Sequence, residues 1–420
     1  MKVLVCGANG FVGQAIAARL EQDGHQVLRG VRRPARASEV AIDYTADLSA
    51  EQWLAKLDGV DAVVNAVGIL IERGAQTFAQ VHEQAPQALF AACRQRGVGR
   101  VIQISALGAE SRETPYFASK CAADEFLLAQ PLRAHVLRPS LVYGANGTSA
   151  RMFRLLASLP LHALPAGGRQ KLQPVHIDDL AELVARLLDP AAPAASPPCL
   201  DVAGDTPVSY REMLGIYRRS MGLAPALAAS IPAWMVRAAA LAGGQIPGSP
   251  LTPDTWRMLQ RGNTADVQPL AAALGRAPRG IETFIAPDAA PALRAEALGA
   301  WQAPVLRIAL ALVWLASAIV SAALFPQADS LARLGRLGLH GLAAHVALYG
   351  ACALDFGLGL ATLLKPGRRL WLIQIALILA YSALVAVALP EFLIEPFGPI
   401  IKNLPMLAIL IVLFNEERRP

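Results

Sequence analysis

Cysteine is scarce in this sequence: the 420 residues include only five, and no two of them have the spacing of a metal site. An odd number of widely separated cysteines predicts reduced thiols, and no metal ligands are predicted. Basic residues never form a run longer than a pair despite a net charge of +6, so nucleic-acid binding is not predicted. The N-terminus lacks the long apolar stretch of a signal peptide, because its short apolar run passes directly into glycines.

Apolar residues make up 54% of the chain, more than the roughly 45–50% of soluble domains. The excess lies at the C-terminus, where four segments approach the roughly 20 residues needed to cross a bilayer. These predicted spans are residues 305–325, 342–364, 370–389 and 398–414. The alternative for each is an amphipathic or buried core helix. The last span is short and contains Lys402.

Loop charges predict the orientation of these spans. The loop KPGRR and the tail EERRP are basic, whereas the loop PEFLIEPFG is acidic. Because Lys and Arg are retained in the cytoplasm, we expect an inner-membrane protein with its N-terminal part and C-terminus cytoplasmic. Arg333 and Arg336 lie in the first loop, between the first two spans, and their positive charge favours the opposite orientation.

Asp355 is an ionisable residue within a predicted span. Such a group is costly in a bilayer and is a candidate functional residue, with His345 and Lys402 as candidate partners. The alternative is that Asp355 bonds a neighbouring helix for packing alone.

The first half of the chain alternates short apolar runs with helical patterns. Runs such as KVLVC, DAVVNAVG and RVIQIS lack polar alternation, as in strands of a parallel sheet buried on both faces. This order predicts an α/β, doubly wound parallel-sheet Rossmann domain at residues 1–222. A smaller substrate-side lobe and connector are predicted at residues 223–300, and an all-α, four-helix transmembrane domain at residues 301–420. The Pro/Ala-rich residues 190–198 predict a surface loop.

Three glycines, Gly7, Gly10 and Gly13, follow the first predicted strand and open the first helix. In a dinucleotide-binding turn, the first glycine allows the tight turn and the second lets the backbone approach the pyrophosphate. The third lets the helix pack close to the strand. The helix N-terminus offers N–H groups to the phosphates.

The second strand ends at Val31 without the acidic residue that would bind the ribose hydroxyls of NAD. Arg32 and Arg33 follow instead, and arginine suits a 2′-phosphate. We therefore expect NADP(H) to be favoured over NAD(H); the alternative is that the pair is a solvated turn. Asp47 ends the next apolar stretch, where it could meet the adenine amino group.

Ser105 ends a predicted strand, and Tyr116 and Lys120 follow in a YxxxK pattern. Tyr and Lys four residues apart share one helix face. A nearby ammonium would lower the pKa of the phenol toward the working pH, and the serine hydroxyl could orient a carbonyl. The alternative is a structural tyrosine with a surface lysine.

With these motifs the chain resembles the short-chain dehydrogenase/reductase superfamily. GANGFVG, VNAVG, RPSLVYG and PVHIDDLA are similar to its extended and atypical branches. The overall pattern, including LQRGN and LGRAPRG, is most similar to the branch that contains the dehydrogenase-like accessory subunit of respiratory complex I. The tail, including PFGPIIKN, resembles DoxX-like membrane domains. The resemblance implies Tyr116 as acid/base, Lys120 holding the ribose and tuning Tyr116, Ser105 supporting the carbonyl, and Pro139 near the nicotinamide.

The residues expected to bind the cofactor are Gly7, Asn9, Gly10, Phe11, Val12, Gly13, Arg32, Arg33, Asp47, Leu48, Asn65, Ala66, Gly68, Lys120 and Pro139. We expect a membrane-anchored NAD(P)H-dependent oxidoreductase acting on a carbonyl, an alcohol or a quinone-like apolar substrate, with membrane lipid and a membrane complex as candidate partners. Two alternatives stay open. One is a non-catalytic NADPH-binding assembly or regulatory protein, and the other is an NAD-retaining epimerase or dehydratase.

Overall fold

A seven-stranded, all-parallel sheet forms the centre of the N-terminal part, with its strands in the order Cys199–Val202, Ala134–Pro139, Arg100–Ile104, Ala62–Asn65, Lys2–Cys6, Gln26–Val31 and Glu39–Ala41. The computed structural model describes residues 1–189, 197–246, 248–393 and 399–417. Most of the predicted loop at 190–198 lies outside the described residues, as do residues 394–398 of the acidic loop and 418–420 of the basic tail. The chain divides into two units, Met1–Ala295 and Glu296–Pro420.

The strands are β1 (Lys2–Cys6), β2 (Gln26–Val31), β3 (Glu39–Ala41), β4 (Ala62–Asn65), β5 (Arg100–Ile104), β6 (Ala134–Pro139), β7 (Val142–Tyr143), β8 (Leu161–Pro165), β9 (Lys171–Leu172), β10 (Val175–His176), β11 (Cys199–Val202), β12 (Val208–Ser209) and β13 (Leu227–Ile231).

The helices are α1 (Phe11–Gln22), α2 (Ala50–Leu54), α3 (Ala85–Arg96), α4 (Pro115–Leu128), α5 (Thr148–Ser158), α6 (Ile177–Leu188), α7 (Tyr210–Ser220), α8 (Ala233–Gly243), α9 (Pro253–Arg261), α10 (Gln268–Leu274), α11 (Ala290–Ile319), α12 (Gln327–Arg336), α13 (Gly341–Leu364), α14 (Arg368–Ala388) and α15 (Pro399–Glu416).

Apolar side chains cover both faces of the sheet. On β1, Val3 and Val5 pack against α1, α6 and α10, whereas Leu4 and Cys6 pack against α2 and α3 on the opposite face. Successive residues of a strand point to opposite faces, so an unbroken apolar strand can fill two cores. The predicted doubly wound parallel sheet is confirmed.

Close packing between β1 and α1 depends on glycine. Gly7 has a φ of +79°, a conformation that L side chains rarely adopt. A Cβ at Gly13 would lie 2.2 Å from the carbonyl oxygen of Gly7. The helix therefore begins in direct contact with the turn that follows β1.

The remainder of the first unit is built from short strand pairs and helices. β13 runs parallel to β8, and Leu270 and Leu274 of α10 join the core under the main sheet. The substrate-side lobe that we predicted to begin at residue 223 thus shares a strand pair with the preceding segment. Its boundary at residue 222 stays a prediction.

The second unit is helical. Three described helical stretches, Ala290–Leu324, Gly341–Leu364 and Arg368–Ala388, are long and apolar enough to cross a membrane. The fourth predicted span, 398–414, is helix α15, and its crossing stays a prediction. A buried polar chain joins α11, α14 and α13: Trp314 Nε1 donates to Gln374 Oε1 at 2.7 Å, and Gln374 Nε2 donates to Thr362 Oγ1 at 2.9 Å.

Asp355 lies on α13, and its Oδ1 is buried without a hydrogen-bond partner. Within the described residues no ion pair joins Asp355 to His345 or Lys402. The Nδ1 of His345 is instead 2.9 Å from the carbonyl oxygen of Gly341, one turn earlier on the same helix. The structure does not bring the two predicted partners to the carboxylate.

Gly13→Ala tests the contact between β1 and α1. Alanine has the higher helix propensity, which by itself would stabilise α1 by about 1 kcal/mol. The added Cβ would overlap the Gly7 carbonyl, so we expect a net destabilisation of the first unit by about 1–3 kcal/mol. The measurement is the urea dependence of thiol labelling at the buried Cys93 in the detergent-solubilised chain.

Gly10→Ala is the matched control, because its Cβ would lie 3.2 Å from the same oxygen and needs only a small adjustment. Equal effects of the two substitutions, or a stabilising Gly13→Ala, would show that the contact does not limit the approach of α1.

Candidate functional site

A cavity of about 540 Å³ opens at the carboxyl ends of the sheet strands. It lies where β1 stands between β4 and β2, the point at which the strand order reverses and where doubly wound folds bind ligands. The residues around it are Gly7, Asn9, Gly10, Gly30, Val31, Arg32, Arg33, Ile42, Tyr44, Thr45, Val67, Gly68, Ile69, Gln76 and Val81.

Six of the predicted cofactor residues line this cavity: Gly7, Asn9, Gly10, Arg32, Arg33 and Gly68. Phe11 and Val12 pack against the core beneath α1, and the Phe11 ring lies against Gly144. A cradle of glycines at a helix N-terminus, beside a cavity of this size, fits a dinucleotide whose phosphates meet backbone N–H groups.

Two arginines stand at the end of β2, as predicted. Arg32 and Arg33 are exposed and line the cavity, and the guanidinium of Arg32 meets the side-chain amide of Gln76. Gln76 pairs with Arg73 in a small bridge that holds this loop beside the cavity. Both arginines therefore lie at the cavity, and Arg32 also contacts Gln76.

The structure does not place the Asp47 carboxylate among the cavity-lining groups. Its Oδ2 accepts from the backbone N of Asp43 at 2.8 Å and forms an ion pair with Lys56. Leu48 packs against the core on the α2 side of the sheet. Tyr44 and Thr45, which the sequence reasoning missed, line the cavity in their place.

Asn65 and Ala66 support the cavity wall from behind. The Oδ1 of the fully buried Asn65 accepts from the Tyr44 hydroxyl at 2.7 Å and from Val67 N at 3.2 Å, and its Nδ2 donates to Gln103. Ala66 N donates to the carbonyl of Cys6. These bonds fix the turn that carries Val67 and Gly68.

Lys120 lies directly behind Gly68. Its Nζ donates to the carbonyl oxygens of Val67, at 3.3 Å, and Ile104, at 3.2 Å. Burial lowers the pKa of Lys120 to about 8, with Asp124 opposing the shift. An ammonium has three donors, so one is not used by these two bonds, although the buried Lys120 is not itself among the cavity-lining residues.

Tyr116 lies one turn before Lys120 on α4 and is half-buried in an apolar cluster with Ala106, Ala109, Phe117, Cys121 and Met258. Burial raises the pKa of Tyr116 to about 12, and Asp124 adds to the rise. We had expected Lys120 to lower this pKa. The structure shows the opposite direction, because the desolvation of the phenolate dominates and the ammonium is bonded to two carbonyls.

Ser105 is hydrogen-bonded to Asp124 of helix α4. Its hydroxyl donates to Oδ2 of Asp124 at 2.6 Å, and both side chains are buried. Arg138 Nε is 3.6 Å from the same carboxylate oxygen. The predicted role of Ser105 as a donor to a carbonyl is not what this arrangement provides, since its one proton is used by Asp124.

Asp124 was missed in the sequence, although it follows Tyr116 and Lys120 at the same four-residue spacing on α4. Burial raises its pKa to about 6, against opposing effects of Ser105, Lys120 and Arg138. Pro139, predicted near the nicotinamide, is buried at the end of β6, where its carbonyl accepts from Leu107 N.

His82 is a second buried polar residue that the sequence reasoning missed. Its Nε2 accepts from Ile69 N at 2.9 Å, so its Nδ1 carries the proton that meets Ser119 Oγ at 3.1 Å. Burial, with Lys120 nearby, lowers the pKa of His82 to about 2. A neutral imidazole therefore connects the cavity loop at Ile69 to the helix that carries Tyr116.

The glycine turn, the cavity and the Tyr116–Lys120 pair define a dinucleotide-binding protein of the Rossmann type. Residues 3–198 match the NAD dependent epimerase/dehydratase family, and residues 311–411 match the DoxX-like family. An epimerase family protein of Mycobacterium bovis is 30% identical over 260 residues, which cover 56% of this chain and 84% of that protein. The chain belongs to the NAD-dependent epimerase/dehydratase family, within the short-chain dehydrogenase/reductase group, with a DoxX-like C-terminal domain.

Two further relatives carry reductase names. The ceramide reductase of Caulobacter vibrioides is 31% identical over 193 residues, which are 44% of this chain and 60% of that protein. The 2-alkyl-3-oxoalkanoate reductase of Stenotrophomonas maltophilia is 29% identical over 260 residues, which are 53% of this chain and 76% of that protein. At family level the chain is related to NAD(P)-dependent oxidoreductases.

A solved structure of a human epimerase family protein with NADPH superimposes with a TM-score of 0.53 at 18% identity, covering 71% of this chain and 99% of that one. The UDP-N-acetylglucosamine 4-epimerase of Bacillus cereus gives 0.52 at 18% identity, covering 70% and 96%. At these identities the likeness shows the fold. The DoxX-like domain and the three long apolar helices indicate a membrane-associated protein.

Asp124→Asn tests the buried carboxyl through its pH dependence. A pKa raised from 3.8 to about 6 in the folded state means that the wild type loses stability as the pH rises through this window. The loss amounts to about 3 kcal/mol at most. Because asparagine does not titrate, we expect the stability of Asp124→Asn relative to wild type to increase by up to that amount between about pH 4 and pH 7.

Urea unfolding followed by Cys93 labelling gives the difference at each pH. Asp288→Asn, at an exposed position, is the control and should show no such trend. A difference for Asp124→Asn that stays flat with pH would contradict a raised pKa.

Proposed function

We propose that this chain is a membrane-anchored, NADPH-dependent reductase of an apolar carbonyl compound. The observation that carries the proposal is the phenol of Tyr116, half-buried among apolar side chains and one helical turn from Lys120 beside the cavity. A bound NADPH supplies the hydride. The residues of the chain hold the substrate carbonyl and provide the proton.

Tyr116 is suited to give a proton. With a pKa raised to about 12, the phenol is protonated at neutral pH and can donate to the oxygen of a carbonyl as that oxygen gains charge. We favour reduction over alcohol oxidation because two relatives carry reductase names.

Lys120 would hold the cofactor. Two of its three N–H donors are bonded to the backbone, so its ammonium is fixed beside Gly68 with one donor left for the ribose hydroxyls. At neutral pH a group with a pKa of about 8 is mostly charged. This is the positioning that the family resemblance implies.

An apolar substrate is supported by the surroundings of Tyr116. Ala106, Phe117 and Met258 pack beside the phenol, and Phe78 lies edge-on to it with ring centroids 6.0 Å apart. The names of two relatives specify a ceramide and a 2-alkyl-3-oxoalkanoate, both compounds with alkyl chains. A quinone-like compound is a further candidate substrate, because it is also apolar.

The membrane unit would place the enzyme where such substrates dissolve. We propose four spans in the inner membrane, with the first unit and the C-terminus cytoplasmic, since the KPGRR loop between α13 and α14 is basic. A cytoplasmic orientation would give the cavity access to NADPH.

The hydrogen bond from Ser105 to Asp124 supports one alternative, a non-catalytic NADPH-binding protein. A site with a phenol and no free serine donor is also what a cofactor-binding assembly protein of a membrane complex would have. In that case NADPH would act as a structural ligand and would not be oxidised. The first of the two tests below separates these functions.

Tyr116→Phe should lower turnover by about 10²–10⁴-fold, the usual contribution of a general acid, because the proton donor is lost. The affinity for NADPH should stay within error, since the phenol contacts the substrate and not the phosphates. The assay is NADPH oxidation by the full chain with long-chain ketones dispersed in detergent micelles.

Tyr210→Phe is the matched control, as Tyr210 is a buried tyrosine on α7 outside the site. If the wild type binds NADPH but oxidises none of it with any ketone, the result supports the non-catalytic assembly protein. Full activity of Tyr116→Phe would show that the phenol is not the proton donor.

Cofactor preference is tested at Arg32 and Arg33. The full chain should bind NADPH more tightly than NADH, and the double substitution Arg32→Ala/Arg33→Ala should abolish the difference. A charge-assisted contact contributes about 1.5–3 kcal/mol, or at least about a tenfold change in Kd per arginine. Calorimetry gives both constants.

Arg36→Ala is the control for general loss of positive charge, because Arg36 is exposed in the same loop but does not line the cavity. Tighter binding of NADH than of NADPH by the wild type would contradict the proposed preference.

A further inference from the structure

Helix α8 of the first unit has a buried apolar face and an exposed face that is apolar except for one arginine. Val236, Ala240 and Gly243 form its buried face, and Val236 and Ala240 pack against Trp256 of α9. The opposite face is exposed and consists of Trp234, Arg237, Ala238 and Leu241, which share one side at the spacings i, i+3, i+4 and i+7. Trp234 is 72% exposed and Leu241 is 56% exposed.

The apolar character extends beyond the helix on both sides. Residues 224–246 contain a single charged residue, Arg237, and no acidic residue. Leu227 before α8 and Ile246 after it are 75% and 63% exposed. Large apolar side chains exposed together in this way mark candidate sites of interaction.

We propose that the exposed face of α8, formed by Trp234, Arg237, Ala238 and Leu241, docks the first unit on a lipid surface with anionic headgroups. The chain is membrane-associated through its C-terminal helices, so a bilayer is always at high local concentration. Tryptophan is the side chain preferred at the boundary between headgroups and acyl chains. An arginine among apolar residues is typical of helices that lie in that boundary.

Charge argues against a second copy of the chain as the occupant. In a two-fold symmetric contact the same surface meets itself, so each Arg237 would approach a surface with no acidic partner from residues 224–246. Among the described residues Arg237 makes no ion pair that would neutralise it. A lipid phosphate supplies the missing negative charge.

The docking face is connected to the candidate active site through one helix. Trp256 of α9 packs against the buried face of α8, and Met258 of the same helix packs in the Tyr116 cluster. With a lipid surface at α8, helix α9 would lie between the acyl chains and the proposed proton donor, Tyr116. This consequence rests on the proposed function, whereas the docking itself does not.

The experiment places a fluorescent bimane label on Ala238→Cys in the full chain, with Cys199 replaced by Ser, in liposomes of phosphatidylcholine and phosphatidylglycerol. Nitroxide-bearing lipids and aqueous iodide are the two quenchers. The control label is on Gln22→Cys, an exposed polar position at the end of α1.

We expect nitroxide lipids to quench the label at position 238 several-fold more than the label at position 22, and iodide to do the reverse. Arg237→Glu, or liposomes without phosphatidylglycerol, should reduce the lipid quenching at 238. No substrate or cofactor is present, so the result is independent of the proposed reaction.

Equal lipid quenching at the two positions would overturn the proposal. Shielding of position 238 from iodide without quenching by nitroxide lipid would also overturn it, and would identify a protein surface, such as a second copy, as the occupant. Lipid quenching unchanged by Arg237→Glu would contradict the role given to the anionic headgroup.

Discussion

The contact between Gly13 and the carbonyl of Gly7 is the constraint on which the site depends. With 2.2 Å between that oxygen and the place of a Cβ, no side chain fits at position 13. The contact sets α1 against the end of β1, so the N-terminal turn of the helix points into the cavity that Arg32 and Gly68 also line. The place where a dinucleotide phosphate would meet the helix therefore depends on this packing distance.

Buried polar side chains fix the rest of the site, because each must find a partner when it leaves water. Asn65 bonds Tyr44, Val67 and Gln103, and so shapes the loop that carries Gly68. Lys120 bonds two carbonyls behind the same loop. These bonds make the cavity wall rigid before any ligand arrives, which reduces the ordering cost of binding.

The sheet, the glycine turn and the two arginines could be predicted from the sequence, since they depend on local pattern and on chain order. The hydrogen bond of Ser105 could not be predicted, because it depends on which face of the sheet the Ser105 side chain lies on. Ser105 continues β5 on the side of Val101 and Gln103, the side on which α4 packs, so its hydroxyl meets Asp124. The ion pair of Asp47 with Lys56, in the short helical turn after α2, could not be predicted from chain order either, and the contact of Asp47 with adenine stays a prediction. A search for acids at the four-residue spacing after Lys120 would have found Asp124.

Desolvation sets the protonation states in the site. Burial raises the pKa of Tyr116 to about 12 and lowers that of Lys120 to about 8, since it disfavours the charged form of each. In the proposed reaction the neutral phenol of Tyr116 gives the proton, and the apolar side chains around it, including Met258, would suit an uncharged carbonyl compound. The surroundings that would admit an apolar substrate thus also set the protonation state needed to reduce it.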